Sequence, residues 1–309
     1  MKSEKLNHVL QGLINEENLS LTIYFLLKNG EIRLADVENE ILPELMELYI
    51  STLEEIIEDD DTDVLALSEA DERRNVLYYY DYEEDIDPIS KLAEVDKNQE
   101  QREFSFSEDK LTEIDGFIFR IANSENSIVL FSKSYPVNII KQDRSFYIRK
   151  SDVRFSKFED ELVRLNGKFD MFYIDEDTFL LKYEILEKFF GFDNVIKNKA
   201  AINLKKIEYL NIIEDFDYFK DQVENISFAR KLVKVAEKSP VFQKSIQSDK
   251  IIEFASNHKL IGQEIQINQS KFVINSKKSS KLLLKLFDDD YLHSKLTDTD
   301  YDSLAKDEL

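Results

Sequence analysis

Apolar and polar positions alternate in two rhythms along this chain, one of period near 3.6 and one of period 2, and the change between them divides it into elements. Leu6, Val9, Leu10, Leu13 and Ile14 share one face of a helix over Ser3–Asn18. Leu19–Leu27 is then continuous enough in apolar residues to be a strand. Asn29-Gly30 is a hairpin turn signal leading to a second strand, Ile32–Val37. Asn39 is placed to cap a helix with Pro43 in its first turn and Leu42, Leu45, Met46, Tyr49, Leu53, Ile56 and Ile57 as its apolar stripe. Val64–Leu67 predicts a strand, Ala70–Tyr80 a helix, Asp81–Asp87 an acidic loop and Ile89–Gln101 a further helix.

Past Asp96–Asp109, a polar stretch read as a domain boundary, the texture changes. Gly116–Ala122 and Ser127–Ser132 flank Asn123–Asn126 as a hairpin, and Val137–Lys141 and Ser145–Arg149 continue as strands around Gln142-Asp143-Arg144. The chain is expected to pack around Lys168–Phe192. There Phe169–Ile174, polar only at Asp170, reads as an interior strand. Asp175-Glu176-Asp177 forms a turn, Thr178–Leu181 returns, and Tyr183, Leu186 and Phe190 recur at helical spacing up to a C-cap at Gly191. Helices follow over Asn194–Glu224 in two pieces, over Ser227–Lys238 ending before Pro240, and over Val241–Asn257. Glu264–Asn268 and Lys271–Asn275 make a last hairpin, before a helix over Lys277–Phe287 and an acidic tail. The fold class is α+β: an acidic N-terminal α/β half, 1–110, followed by a C-terminal half of antiparallel strands plus helices, 111–309.

Composition adds an uneven charge. The net charge of −22 is carried by the first 115 residues, with 32 acidic and 10 basic side chains. Residues 116–287 hold 23 acidic and 29 basic, a balance of +6, and residues 288–309 return to −6. A global pI near 4.6 would argue against a polyanionic partner, but a polyanion responds to the local patch. The 22 Phe and 14 Tyr can build a substantial core, and the lack of cysteine excludes disulfides and thiolate chemistry. The first residues lack the apolar core of a signal peptide, and no run approaches the roughly 18 apolar residues of a membrane span. The chain is therefore expected in the cytoplasm. The terminal Lys306-Asp307-Glu308-Leu309 spells a retrieval signal that would need prior secretion, and it reads as coincidence.

Catalytic motifs are scarce. The six glycines are too dispersed for a dinucleotide fingerprint or a phosphate-binding loop, and no nucleophile elbow occurs. His8, His258 and His293 are isolated in sequence and read as surface or core histidines. Asp298–Asp302 has the carboxylates of a calcium loop without its glycine or terminal glutamate. Glu108-Asp109-Lys110 is the acid-plus-lysine pairing of metal-dependent nucleases, where metal holds the phosphate and lysine stabilises charge, but it falls in the expected linker. No metal and no cofactor are expected, and the chain reads as a non-enzyme with a metal-dependent nuclease as the alternative.

Basic clusters carry the positive reading. Lys133, Lys141, Arg144, Arg149, Lys150, Arg154 and Lys157 face only Asp143 and Asp152, and Tyr135, Phe146 and Tyr147 lie among them as rings that could stack on bases. Arg230, Lys234 and Lys238 recur at i, i+4, i+8 with Lys231 beside them, opposite Phe228, Ala229, Leu232 and Val235. Lys277, Lys281 and Lys285 repeat the pattern with Lys278, opposite Leu282, Leu283, Leu286 and Phe287. Any one cluster could be the charged face that an amphipathic helix needs. Three of them within a positive segment point to a polyanion site.

Lys281–Lys306, KLLLKLFDDDYLHSKLTDTDYDSLAK, holds an LLK-L run, then DDxYL, a serine, Leu-Thr, a tyrosine and a Ser-x-x-Lys-like ending. This resembles the C-terminal signature of the KwaB family of the bacterial Kiwa anti-phage defence system. Ala229-Arg230-Lys231-Leu232 and the strand–turn–strand–helix unit at Lys168–Phe192 resemble other parts of the family pattern, and the likeness spans about Lys168 to Lys306. It implies a cytoplasmic effector working with a membrane-embedded partner, KwaA, which senses phage attachment and recruits it to the inner membrane. It also implies DNA binding that obstructs phage replication or late transcription. The chain is itself expected to be a homo-oligomer, a dimer or higher. The resemblance does not identify the DNA contacts. Charge alone nominates Lys141, Arg144, Arg149, Lys150, Arg154, Lys157, Arg230, Lys231, Lys234, Lys277, Lys278, Lys281 and Lys285. A third reading makes the acidic half a nucleic-acid mimic that captures a basic protein.

Overall fold

A computed structural model of the protein describes residues 2–15, 18–58, 62–70, 76–97, 100–140, 148–150, 155–157, 161–294 and 296–302. The fold is α+β, and the chain divides into two compact units, Met1–Leu67 with Arg73–Ile185 and Ser68–Glu72 with Leu186–Leu309.

The first unit runs α1 (Lys2–Ile14), β1 (Ser20–Leu27), β2 (Ile32–Leu34), α2 (Leu42–Glu58), β3 (Asp63–Ala66), β4 (Val76–Tyr79), α3 (Ile89–Asp96), β5 (Ile114–Ala122) and β6 (Ser127–Lys133). It continues through β7 (Ile139–Ile140), β8 (Ile148–Lys150), β9 (Phe155–Lys157), β10 (Leu162–Val163), β11 (Met171–Ile174) and β12 (Asp177–Leu180). Eight strands form one sheet in the order β2-β1-β5-β6-β11-β12-β4-β3, antiparallel throughout except for the parallel pair β3–β4. Period-2 alternation puts Leu21, Ile23, Phe117, Phe119, Ile121, Ile128, Leu130 and Phe172 on one face. Leu10 and Leu13 of α1 and Tyr49 and Leu53 of α2 close over them. Ile118, Val129, Phe131 and Met171 point the other way and are buried too, with α3 packed against β5, β6 and β11. A sheet covered on both sides explains why these strands read as unbroken apolar runs.

The strand–turn–strand unit expected to organise the chain sits inside this sheet, β11 lying between β6 and β12. Asp175 and Glu176 both take left-handed φ, 49° and 67°, as a two-residue hairpin turn requires. Asp170, the polar exception, is buried and accepts the Lys133 N–H at 2.8 Å and the Lys182 ammonium at 3.1 Å. Gly116 faces the Phe131 ring so closely that an added Cβ would lie 2.3 Å from a ring carbon. Gly116→Ala is expected to lower the unfolding free energy by about 1–3 kcal/mol, the usual cost of overpacking. Urea denaturation followed by circular dichroism measures this.

The second unit contains most of α4 (Glu184–Phe189), then α5 (Phe192–Tyr209), α6 (Phe216–Asp221), α7 (Ile226–Lys238), α8 (Pro240–Gln243), α9 (Ser248–Asn257) and α10 (Lys259–Glu264). The short hairpin β13 (Ile267–Asn268) and β14 (Lys271–Phe272), α11 (Lys277–Phe287) and the hairpin β15 (Tyr291–Ser294) and β16 (Thr299–Asp302) complete it. Gly191, at φ 73°, ends α4 and stands at the N-cap of α5. Side-chain caps set other boundaries: Asn225 accepts the Phe228 N–H, Ser239 the Val241 N–H and Ser276 the Ser279 N–H.

Four expectations are revised. Val76–Tyr79 is strand β4 rather than part of a helix over Ala70–Tyr80, because these β-branched and aromatic residues complete the sheet beside β12 and β3; residues 71–75 lie outside the described residues. The stretch Asp96–Asp109 lies within the first unit, since β1 pairs along the whole of β5, from Ser20↔Ala122 to Leu27↔Ile114. In the basic segment, β7 pairs with β10 and β8 with β9, while the expected turn Gln142-Asp143-Arg144 lies outside the described residues. The acidic tail after Lys277–Phe287 is not without structure: Tyr291–Ser294 and Thr299–Asp302 pair as β15–β16.

Candidate nucleic-acid interface

The thirteen nominated cations fall into three groups. In the first, Arg149 and Lys150 lie on β8 and Lys157 on β9, in the register Ile148↔Lys157, Arg149↔Ser156, Lys150↔Phe155. These three belong to one two-stranded ribbon. Lys141, Arg144 and Arg154 lie outside the described residues. Lys133, counted with this cluster in the sequence, is buried; its ammonium meets the Asp115 carboxylate at 2.5 Å and the Asp115 carbonyl at 2.9 Å. It holds β5 to β6 and offers no charge to a ligand.

The second group, on α7, is turned inward. Arg230 binds the buried Glu187 of α4 through Nε at 3.0 Å and Nη2 at 2.5 Å. Lys231 contacts both Asp288, directly after α11, and Asp290 at 3.1 Å. Asp290 is 1% exposed, and that ammonium is one of its partners. Burial depresses the Lys231 pKa, but the two carboxylates outweigh it and hold it above the ordinary lysine value. Lys234 is half-buried and engaged with a neighbour, and Lys238 meets Glu69 at 3.2 Å. Ser239, at the end of this helix, donates its hydroxyl to the Phe287 carbonyl.

In the third group, α11 presents Lys277, Lys278 and Lys281 to solvent. Lys278 pairs with Glu264. Lys285 pairs with Asp302 of β16 at 2.7 Å. Lys277 and Lys281 have no ion pair among the described residues. The free cations among the nominated set whose side chains are described are therefore these two.

The hairpin β15–β16 is held by its carboxylates. Asp300 accepts the Lys259 backbone N–H at 2.9 Å, lies 2.8 Å from His293 Nδ1 and stands 3.8 Å from Nε2 of the buried His258. The ring of His258 packs between Phe254 and Tyr291. The His293 hydrogen bond, followed by the Lys259 N–H, holds the Asp300 carboxyl below its ordinary pKa. Its contribution to stability is thus present above the ordinary aspartate range and is lost as pH falls through the lowered value. His293→Phe removes the larger cause, and Asp300 should then titrate closer to an ordinary aspartate in a carboxyl-detected NMR titration. An unchanged Asp300 pKa would contradict this assignment.

Of the Glu108–Lys110 pair in the nuclease reading, the glutamate is engaged within the chain, as is the Asp109 between the two. Glu108 pairs with Arg102; Asp109 accepts the Ser105 N–H at 2.9 Å and lies 3.4 Å from Nε of the buried Arg33. Among the described residues no group of three or more His, Asp or Glu side chains is placed to hold a metal ion. No helix among them is long and apolar enough to cross a membrane.

Comparison with known proteins bears on this arrangement. The model of the family described as Kiwa protein KwaB-like matches residues 111–297. Kiwa protein KwaB of Escherichia coli O55:H7 (strain RM12579 / EPEC) is 30% identical over 318 aligned positions, which cover 100% of this chain and 99% of that protein. No solved structure matches. The matched span contains both Lys231 of the Arg-Lys-Leu helix and the Asp288–Asp290 run, the two stretches that the ion pairs above join.

Proposed function

Because the chain belongs to the Kiwa protein KwaB-like family, and so to anti-phage defence, we propose that it is a DNA-binding effector of that defence without catalysis or a cofactor of its own. It grips duplex DNA through phosphate contacts that are largely independent of sequence and thereby obstructs phage replication or late transcription. It self-associates, and a membrane-embedded partner, KwaA, brings it to the inner membrane. The observation that carries the DNA reading is charge segregation: residues 116–287 balance to +6 in a chain of −22. The β8–β9 ribbon supports it by gathering Arg149, Lys150 and Lys157 on one element, with exposed Lys277 and Lys281 as additional steering charges.

Arg230 and Lys231 contribute through the fold, since their charges are offset by Glu187, Asp288 and Asp290. The contact set narrows to the segment 141–157 with α11 in support. Salt dependence tests this. With about six phosphate contacts, affinity for duplex DNA should fall roughly 10³-fold between 50 and 200 mM salt. The measurement is fluorescence anisotropy on the purified chain and on its complex with the membrane partner. No binding at the lowest salt in either form would overturn the reading.

A further inference from the structure

Two surface helices display the same spacing of apolar and charged side chains with opposite charge. On α2 and its first flanking residue, Ile41 (44% exposed), Glu44 and Leu48 (42% exposed) stand at i, i+3, i+7. On α5, Ile202 (68% exposed), Lys205 and Tyr209 (91% exposed) stand at the same offsets. At 3.6 residues per turn each triplet occupies one narrow face. Ser51 and Glu55 extend the first face and Lys206 widens the second. No lysine or arginine lies between Ile41 and Glu58. On the last turns of α5 the one acid, Glu208, stands three residues after Lys205 and flanks the triplet, so Lys205 and Lys206 leave this end of the helix with a net positive charge. Beside Tyr209 and both lysines opens a groove of ≈ 680 Å³ whose walls include Val241, Phe242 and Ile246. The groove beside the α5 pair joins it into one apolar surface with room for side chains from a second helix.

We propose that α2 of one copy docks on α5 of a second copy. Ile41 and Leu48 would lie against Ile202, Tyr209 and the groove, and Glu44 would meet Lys205 or Lys206. The occupant is a second copy because the matching complement, in spacing and in sign, stands on the same chain. Lys206 also donates to the Ala236 carbonyl at 3.2 Å, which fixes its stem at the groove wall and leaves Lys205 as the more available charge. This assigns a surface to the self-association in the functional reading above and is independent of DNA binding.

Charge exchange tests it on the full chain. Sedimentation velocity should show Lys205→Glu with Lys206→Glu, and separately Glu44→Lys with Glu55→Lys, weakening self-association by about tenfold or more, and the four changes together restoring it. The chain has no cysteine, so engineered ones report cleanly. A Leu48→Cys protein mixed with Tyr209→Cys or Ile202→Cys protein should form a mixed disulfide under mild oxidation, while Leu48→Cys alone should not. Reversals without effect on an assembled wild type, or no mixed disulfide in either pairing, overturn this surface and leave self-association standing. A monomeric wild type at every concentration overturns both. Reversals on α5 that weaken DNA binding but not assembly would reassign those lysines to DNA.

Discussion

Replacing Lys231 with methionine should destabilise the second unit by about 3–5 kcal/mol, the usual result of removing one partner from a buried charge cluster. Methionine keeps most of the stem and its packing, so the loss reports the charge. The physical reason lies in the partners: Asp288 and Asp290 are both buried, and loss of the ammonium removes the cation that two neighbouring like charges share. Adding Asp288→Asn and Asp290→Asn to the same chain should recover part of the loss, because neutral amides cost less to bury than carboxylates that have lost their shared cation. Urea denaturation at neutral pH measures both. The cluster also has a pH signature. The folded pKa of Lys231 is raised, so its contribution is fully present below the ordinary lysine value of 10.5 and is lost as pH rises through the higher folded value. Wild type and Lys231→Met should therefore converge in stability in strong alkali. A neutral-pH difference below about 1 kcal/mol would mean that the aspartates are solvated, or protonated, without the lysine.

The second large effect concerns DNA. Arg144→Glu, Arg149→Glu and Arg154→Glu together should weaken duplex binding well over tenfold, more than about 1.4 kcal/mol. Three reversed phosphate contacts would also flatten the salt dependence by about three units of slope. Arginine earns this prominence through its planar fork, which takes a phosphate bidentately and stacks on rings. Lys277→Glu with Lys281→Glu should weaken binding less, since α11 offers flexible point charges suited to steering. Comparison at one salt concentration, after circular dichroism shows each variant folded, decides between them. Loss of DNA by the α11 variant with retention by the arginine variant would move the site to α11.

How much of this was legible depended on whether a property is local. Asp175-Glu176, flanked by apolar runs, announced its hairpin because turn chemistry resides in the turn residues. Helices α7 and α11 were readable to within a residue from their apolar faces, the Pro240 stop and the short polar stretch before Lys277. Val76–Tyr79 was misread as helix because Ala70 and the charged residues after it suit a helix, while the strand state of Val-Leu-Tyr-Tyr follows from neighbours about a hundred residues away. The polar stretch before Glu113 resembled a linker, yet β1 and β5 pair across it.

The charges divide in the same way. Sequence alone determined that a net positive segment lies inside an acidic chain, and that the Arg-Lys-Leu helix and the Asp-Asp-x-Tyr-Leu run resemble a family pattern, because composition and short motifs are properties of the chain itself. Only the tertiary structure decided that these two stretches face each other. It also decided which cations are spent: Lys133 on Asp115, Arg230 on Glu187, Lys231 on Asp288 and Asp290, Lys285 on Asp302. An ion pair depends on distance in space and on the water excluded around it, and partners 17 to 59 residues apart along the chain leave no local trace of either.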